Sequence, residues 1–287
     1  MQPYYSLKHY FKQARWRVRR ARAAIRWGFE SLNYAPIVFG NAMPKSGSHL
    51  ITQVLRGLMQ LGPFVDPGLP PVNRAEDNTN LPAELILAGL EAMQPGDVRY
   101  GYLPAERSYL EFLNRPEVAA VYIYRDPRDM VVSHVFYATE MHTGHGMHRY
   151  YTETLNSTEE RIAAAIRGVS QNGFEMRSVN ARYRAYQDWL QQPAVLAVRF
   201  EELIGDREAT LNKLLDYLAK KGFQPREPRA EAIRVLSRAL DPRKSGTFRK
   251  AQPGNWREHF TEANKHLFKE QTGDLLITLG YEKSNDW

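Results

Sequence analysis

Residues 35–61 read APIVFGNAMPKSGSHLITQVLRGLMQL, and their order of residue types decides the fold class. Ala35 to Asn41 is a continuous apolar run suited to a central, fully buried strand. Met43-Pro44-Lys45-Ser46-Gly47 interrupts it, and Ser48 to Leu61 then carries helical spacing up to Gly62. Strand, tight loop and helix in that order is a phosphate-binding arrangement. The loop offers one anion several backbone N–H groups, the positive end of a helix dipole, two hydroxyls and a lysine. The nucleotide triphosphatase loop places its lysine after the second glycine. Here Lys45 precedes Gly47, so ATP hydrolysis is disfavoured.

Outward from this stretch, short apolar runs alternate with helical patterns. Strands are expected at Val98 to Tyr102, Val118 to Arg125 and Val195 to Phe200, and a helix from Pro127 through Thr139. Further helix signals are Ser157 with Glu160 as a capping box, Asp206 before a run ending at Gly222, and Thr261 to Leu279 before Gly280. Alternation of this kind predicts an α/β fold, with a central parallel sheet covered by helices on both faces. Two segments read as loops that cover a site: Gly62 to Leu81, rich in Pro, Asn and Gly, and the basic stretch Asp241 to Asn255.

The chain has 287 residues, 43% hydrophobic and 25% charged, which suits a folded chain with a sizeable core and excludes disorder as its main state. It has no cysteine, which removes disulfides, thiolate zinc sites and a cysteine nucleophile, and fits a reducing cytoplasm. Its longest apolar stretches, such as Val118 to Tyr124, fall far short of the roughly 20 residues of a membrane span. The basic N-terminus lacks the apolar core of a signal peptide.

The net charge of +7 resides in one segment. Lys8, Lys12, Arg15, Arg17, Arg19, Arg20, Arg22 and Arg26 face Glu30 alone within residues 1–30, so the remaining body is neutral. The arm from Tyr4 to Phe29 reads as a helix with Trp16, Ala23, Ile25 and Trp27 among its arginines. Two roles stay open for it: attachment to an anionic lipid surface, or packing on the body as a solvated helix. A nucleic-acid arm is disfavoured, because the body shows no second basic stripe.

Two further clusters carry chemistry. In Arg125-Asp126-Pro127-Arg128-Asp129-Met130-Val131-Val132-Ser133, Arg125 stands where a strand leaves the sheet and Ser133 falls about two helical turns later. Both could reach one phosphate. Arg128 and Asp129 read instead as a helix-start pair. Phe248-Arg249-Lys250, ahead of Gly254-Asn255-Trp256, adds two cations. Separated cationic groups around a doubly wound sheet suggest a nucleotide with two phosphate-bearing ends.

Together these residues resemble the sulfotransferases that use 3′-phosphoadenosine 5′-phosphosulfate (PAPS). Pro44 to His49 resembles their 5′-phosphosulfate loop, Arg125 to Ser133 their 3′-phosphate motif with its spacing, and Phe248 to Trp256 their C-terminal motif. The resemblance covers residues 35–281. It implies a P-loop-like three-layer fold, with residues 35–287 as the sulfotransferase domain and residues 1–34 as a basic helical extension. It also implies that Lys45 contacts the bridging oxygen of the leaving phosphate, while Ser46, Gly47, Ser48, His49 and Leu50 cradle the 5′-phosphate. Arg125, Ser133, Arg249 and Lys250 would hold the 3′-phosphate, and Phe200 would meet adenine, its other reading being a core residue at a strand end. Sulfuryl transfer moves charge onto a leaving oxygen, so positioning and cations can supply most of the catalysis without a metal.

One departure stands out. The family's histidine base belongs to a His-Leu-Pro segment, and this chain has Tyr102-Leu103-Pro104. A phenol titrates near pH 10 and is a poor base at neutral pH unless a cation such as Arg99 or Lys45 assists. Tyr102 therefore orients an acceptor acidic enough to need little help, or another group such as His49 or Glu106 serves as base, or activity is weakened or lost. His134, His142, His145 and His148 are further candidates. The spacing of the last three invites a metal reading, but a glycine-containing loop without nearby carboxylates favours an acceptor-side or surface segment. The expected product is PAP (adenosine 3′,5′-bisphosphate), and the expected acceptor a small-molecule, lipid-linked or sugar hydroxyl or an amine. A non-enzymatic nucleotide-binding or membrane-associated protein and an ATP-using kinase are the competing classes, the second disfavoured because Arg125 and Ser133 suit a 3′-phosphate that ATP lacks.

Overall fold

The computed structural model describes residues 7–171, 174–244 and 252–287. Its strands are β1 (Ile37–Ala42), β2 (Val98–Gly101), β3 (Val118–Tyr124), β4 (Val169–Gln171), β5 (Phe174–Met176) and β6 (Val195–Arg199). The helices of the first half are α1 (Leu7–Trp27), α2 (Phe29–Asn33), α3 (Ser48–Leu61), α4 (Ala83–Glu91), α5 (Arg107–Leu113) and α6 (Pro127–Phe136). Those of the second half are α7 (Thr158–Arg167), α8 (Val179–Gln187), α9 (Phe200–Gly205), α10 (Arg207–Lys220), α11 (Arg229–Ala239), α12 (Glu262–Thr272) and α13 (Leu275–Thr278). The described chain divides into two compact units, one of residues up to 124 with 188–244, the other of residues 125–187 with those from 252 on.

The first unit holds the expected parallel sheet, in the order β2-β1-β3-β6. All six residues of β1 are buried, which is why its sequence is continuously apolar rather than alternating. α3 packs on β1 and β2, α5 on β3, and α9 and α10 on β6. Gly40 lets α3 approach β1, since a Cβ there would lie 2.8 Å from Ile51 Cγ1. α3 spans the expected residues and stops at Gly62, whose N–H bonds to Leu58 O. Gly62 is extended there (φ −167°), so it stops the helix without a left-handed turn. The other strands end one residue short of expectation, at Gly101, Tyr124 and Arg199. No described helix is long and apolar enough to cross a membrane.

α1 packs along this unit. Lys12 Nζ meets Glu76 Oε2 at 2.7 Å, Trp16 Nε1 donates to Asp97 Oδ1 at 2.8 Å, and Arg20 Nη1 meets the same oxygen at 2.9 Å. Burial raises the Asp97 pKa, with the bonds from Gln94, Trp16 and Arg20 opposing it. Ala24 is buried with Leu32 and Val65 beneath Trp16 and Ala23, and Gly28 (φ +99°) separates α1 from α2.

The second unit is mostly helical, with the antiparallel β4–β5 pair that the sequence did not announce. Ser157 caps α7 through the expected box with Glu160. Three helix expectations need correction. The helix begun at Pro127 is α-helical only to Phe136 and widens into a π-turn over Tyr137–Met141. Thr261 to Leu279 is two helices, divided where Gly273 adopts φ +54°. In the first unit, Asp206 precedes α10 without lending its side chain as a cap.

Candidate functional site

In the first unit the loop after β1 is shaped by two left-handed residues, Lys45 (φ +70°) and Gly47 (φ +108°). Gly47 occupies the N-cap of α3, where a side-chain cap is absent and the helix start is left to backbone groups. A Cβ on Gly47 would lie 2.8 Å from Ile123 Cδ1 and 2.9 Å from Phe200 Cδ2, so glycine is required for shape as well as φ. Ser46 is fully buried, and its Oγ has no hydrogen-bond partner among the described residues. A buried, unsatisfied hydroxyl in a loop at a helix start suits an anion. Ser48 and Leu50 are buried and His49 is exposed. Partial desolvation, then the charges of Lys45 and Arg56, hold the His49 imidazole below its ordinary pKa.

Tyr102 meets this loop. Its hydroxyl donates to Ser48 Oγ at 3.1 Å. Two asparagines fix the segment that carries it. Asn73 Oδ1 accepts from Tyr102 N–H at 3.0 Å, and Asn73 Nδ2 donates to Tyr102 O at 3.3 Å. Asn41, buried at the end of β1, bonds Leu103 in both directions at 2.9 and 3.0 Å, and Trp189 Nε1 donates to Leu103 O at 2.8 Å. Sequence reasoning missed Asn41, Asn73 and Trp189; the only signal was one amide ending an apolar strand. Arg99, considered as an aid to Tyr102, donates to Gly89 O and Pro70 O. Neighbouring Tyr100 is pushed up to about 12 by burial, then by Tyr102. Phe200 is buried at the start of α9, against the Gly47 side of the loop.

The second unit contains the other cluster. Asp126 caps α6 by accepting from Arg128 N–H at 2.9 Å, with Pro127 in the first turn. Arg125, Asp129 and Ser133 recur every four residues, and Arg125 Nη2 lies 3.9 Å from Asp129 Oδ2. Tyr183 hydroxyl donates to Arg125 O at 2.7 Å. Arg125 is buried and Ser133 half-buried.

Arg128 and Asp129 stand in the first turn of α6 and make contacts far beyond it in the chain. The Arg128 guanidinium bonds Asp126 at 2.7 Å and Glu282 at 2.6 Å, and it lies 4.0 Å and 4.5 Å from the Trp256 and Trp287 ring centres. Asp129 accepts from Gly254 N–H and Trp256 N–H, both at 2.8 Å, which anchors the chain just after the Phe248-Arg249-Lys250 motif. Burial raises the Asp129 pKa, the Arg125 charge opposing it. Arg249 and Lys250 themselves lie outside the described residues.

Glu106, the carboxylate considered as a base, precedes α5 as its N-cap. The histidines beyond α6 bond locally: His148 Nδ1 is 2.8 Å from Ala138 O, and His145 Nδ1 accepts from Met147 N–H. Among the described residues no group of three His, Asp or Glu has metal-holding geometry.

Residues 38–280 match the family model described as the sulfotransferase domain. The chain is 23% identical over 242 residues to a 3-alpha-hydroxysteroid sulfotransferase of Cavia porcellus, covering 78% of each chain. It is 23% identical over 259 residues to a flavonol 3-sulfotransferase of Flaveria bidentis, covering 78% of this chain and 77% of that one. Its fold is similar to that of a mouse sulfotransferase complexed with PAP, at a TM-score of 0.57 and 15% identity over 89% of both chains. Retinol dehydratase in complex with androsterone and PAP matches at 0.52 and 16%, over 87% of this chain and 83% of that one. With the family match spanning most of its length, from the second residue of β1 to just past the last helix, the chain belongs to the sulfotransferase family.

Proposed function

We propose that this protein moves a sulfuryl group from PAPS to a hydroxyl or amine of a small-molecule acceptor by in-line displacement, releasing PAP. The observation that carries the reading is the loop of β1 and α3, with its unsatisfied Ser46 hydroxyl and the Tyr102 phenol 3.1 Å from Ser48 Oγ. That loop is built for an anion, and the phenol beside it can hold an incoming hydroxyl in line.

When bound, PAPS supplies the sulfuryl group and a phosphate as leaving group. Lys45 would neutralise the charge that collects on the bridging oxygen as the S–O bond to phosphate breaks and the acceptor's bond to sulfur forms. Ser46, Gly47, Ser48, His49 and Leu50 would hold the 5′-phosphate. Arg125, Ser133, Arg249 and Lys250 would hold the 3′-phosphate, and Phe200 would pack on adenine. Tyr102 orients the acceptor; the acceptor's proton leaves to solvent or a neighbouring base. In this reading residues 35–287 form the catalytic domain and residues 1–34 an extension, and the protein works in the cytoplasm, peripheral on a membrane, with lipid-linked alcohols among its acceptors. The steroid and flavonol named for the two relatives make such hydroxyls the first acceptors to try.

The test is transfer of labelled sulfate from PAPS to a panel of steroid, phenolic and lipid-linked alcohols. Transfer is expected, and Lys45→Ala should lower turnover by about 10²–10³. A chain that transfers to none of them and fails to bind PAP would defeat the reading.

A further inference from the structure

α1 has two faces of opposite character. Lys12, Trp16, Arg20, Ala23 and Trp27 lie on the side that packs on the first unit, through the bonds to Glu76 and Asp97 and the buried cluster with Leu32 and Val65. At 100° per residue, Phe11, Val18 and Ile25 fall on the opposite side. They are 68%, 52% and 79% exposed. Phe29, just past the end of α1, is 70% exposed. Of the seven exposed large hydrophobic residues among those described, six lie between Tyr10 and Tyr34, so the patch is a property of this segment and not of the surface at large. Arg15, Arg22 and Arg26 run along one flank of the apolar seam and Arg17 along the other, all exposed, and no residue from Leu7 to Trp27 is acidic.

We propose that this outward face of α1 is a docking surface for an anionic lipid bilayer. An apolar seam edged by arginines is the pattern of a helix that lies in a membrane interface, with its apolar side chains among the acyl chains and its cations at the headgroups. A second copy of the chain fits the face poorly. Two such helices in contact would bring arginine rows together with no acidic residue on either to answer them. The inference deepens the membrane placement proposed above, and it is separable from the donor chemistry, because no residue of this face belongs to the phosphate loop or to α6.

The test is flotation of the full chain with vesicles of phosphatidylcholine alone and of phosphatidylcholine mixed with phosphatidylserine, alongside light scattering and PAP binding. The chain should float with the mixed vesicles only, and less so as salt rises. Val18→Asp and Ile25→Asp should each weaken binding about tenfold or more, and Arg15→Gln and Arg22→Gln about fivefold each. PAP affinity should stay the same in all four, showing that they fold. Failure of the unmodified chain to float, or variants that float as it does, would overturn the proposal. A dimer abolished by Ile25→Asp, without vesicle binding, would overturn it in favour of a second copy. Flotation without PAP binding would fault the donor reading alone.

Discussion

The Tyr102 hydroxyl donates to Ser48 Oγ beside the loop after β1, and its backbone is held on both sides by Asn73. A side chain so constrained suits the proposed role of orienting an acceptor better than that of a mobile base. This assigns a magnitude to its removal. Tyr102→Phe should lower turnover about tenfold, the worth of one positioning hydrogen bond, whereas loss of a general base costs about 10²–10⁴. PAP affinity should hardly move in the same variant. Tyr102→His should also lower turnover, because the imidazole is shorter than the phenol and leaves Ser48 without its partner. Steady-state rates with saturating PAPS measure both. A rise in the histidine variant would show that the tyrosine is a defect rather than a working part.

At the scale of elements, the sequence is most informative where the chain's local chemistry decides the outcome. The buried run before Lys45, the small residues after it and the stop at Gly62 placed β1, its loop and α3 to within two residues, because each depends on neighbours close in sequence. What escaped was long-range. Asn41 and Leu103 are 62 residues apart, and Leu103 and Trp189 are 86 apart, yet these bonds hold the Tyr102 segment. Arg128 reads from sequence as one of a helix-start pair, and only the fold shows it enclosed by Trp256 and Trp287. The division of the last helix at Gly273 was hidden because an isolated glycine is tolerated within a helix. The loop yields its own prediction. Gly47→Ala forces a side chain into φ +108° against Ile123 and Phe200, so denaturant unfolding should show a loss of about 1–3 kcal/mol. The PAP affinity of the folded fraction should fall with it. An alanine variant as stable as the parent would mean that the loop is not held in this shape.

For the whole molecule, charge separates two tasks. The body is neutral in total, so the groups proposed to bind phosphate are local in sequence: the loop after β1, the cluster about the start of α6, and the Phe248-Arg249-Lys250 motif. The excess charge lies on α1, whose Arg15, Arg17, Arg22 and Arg26 face solvent beside exposed apolar side chains. The donor site is therefore expected to discriminate by the 3′-phosphate and not to bind polyanions at large. Calorimetric titration of PAP against 5′-AMP tests this most directly. PAP should bind about a hundredfold more tightly, the worth of one or two charge-assisted hydrogen bonds. Arg125→Ala should remove the preference, and Lys45→Ala should weaken both ligands. Equal affinities for PAP and 5′-AMP, or a preference that survives Arg125→Ala, would show that Arg125 does not hold a 3′-phosphate.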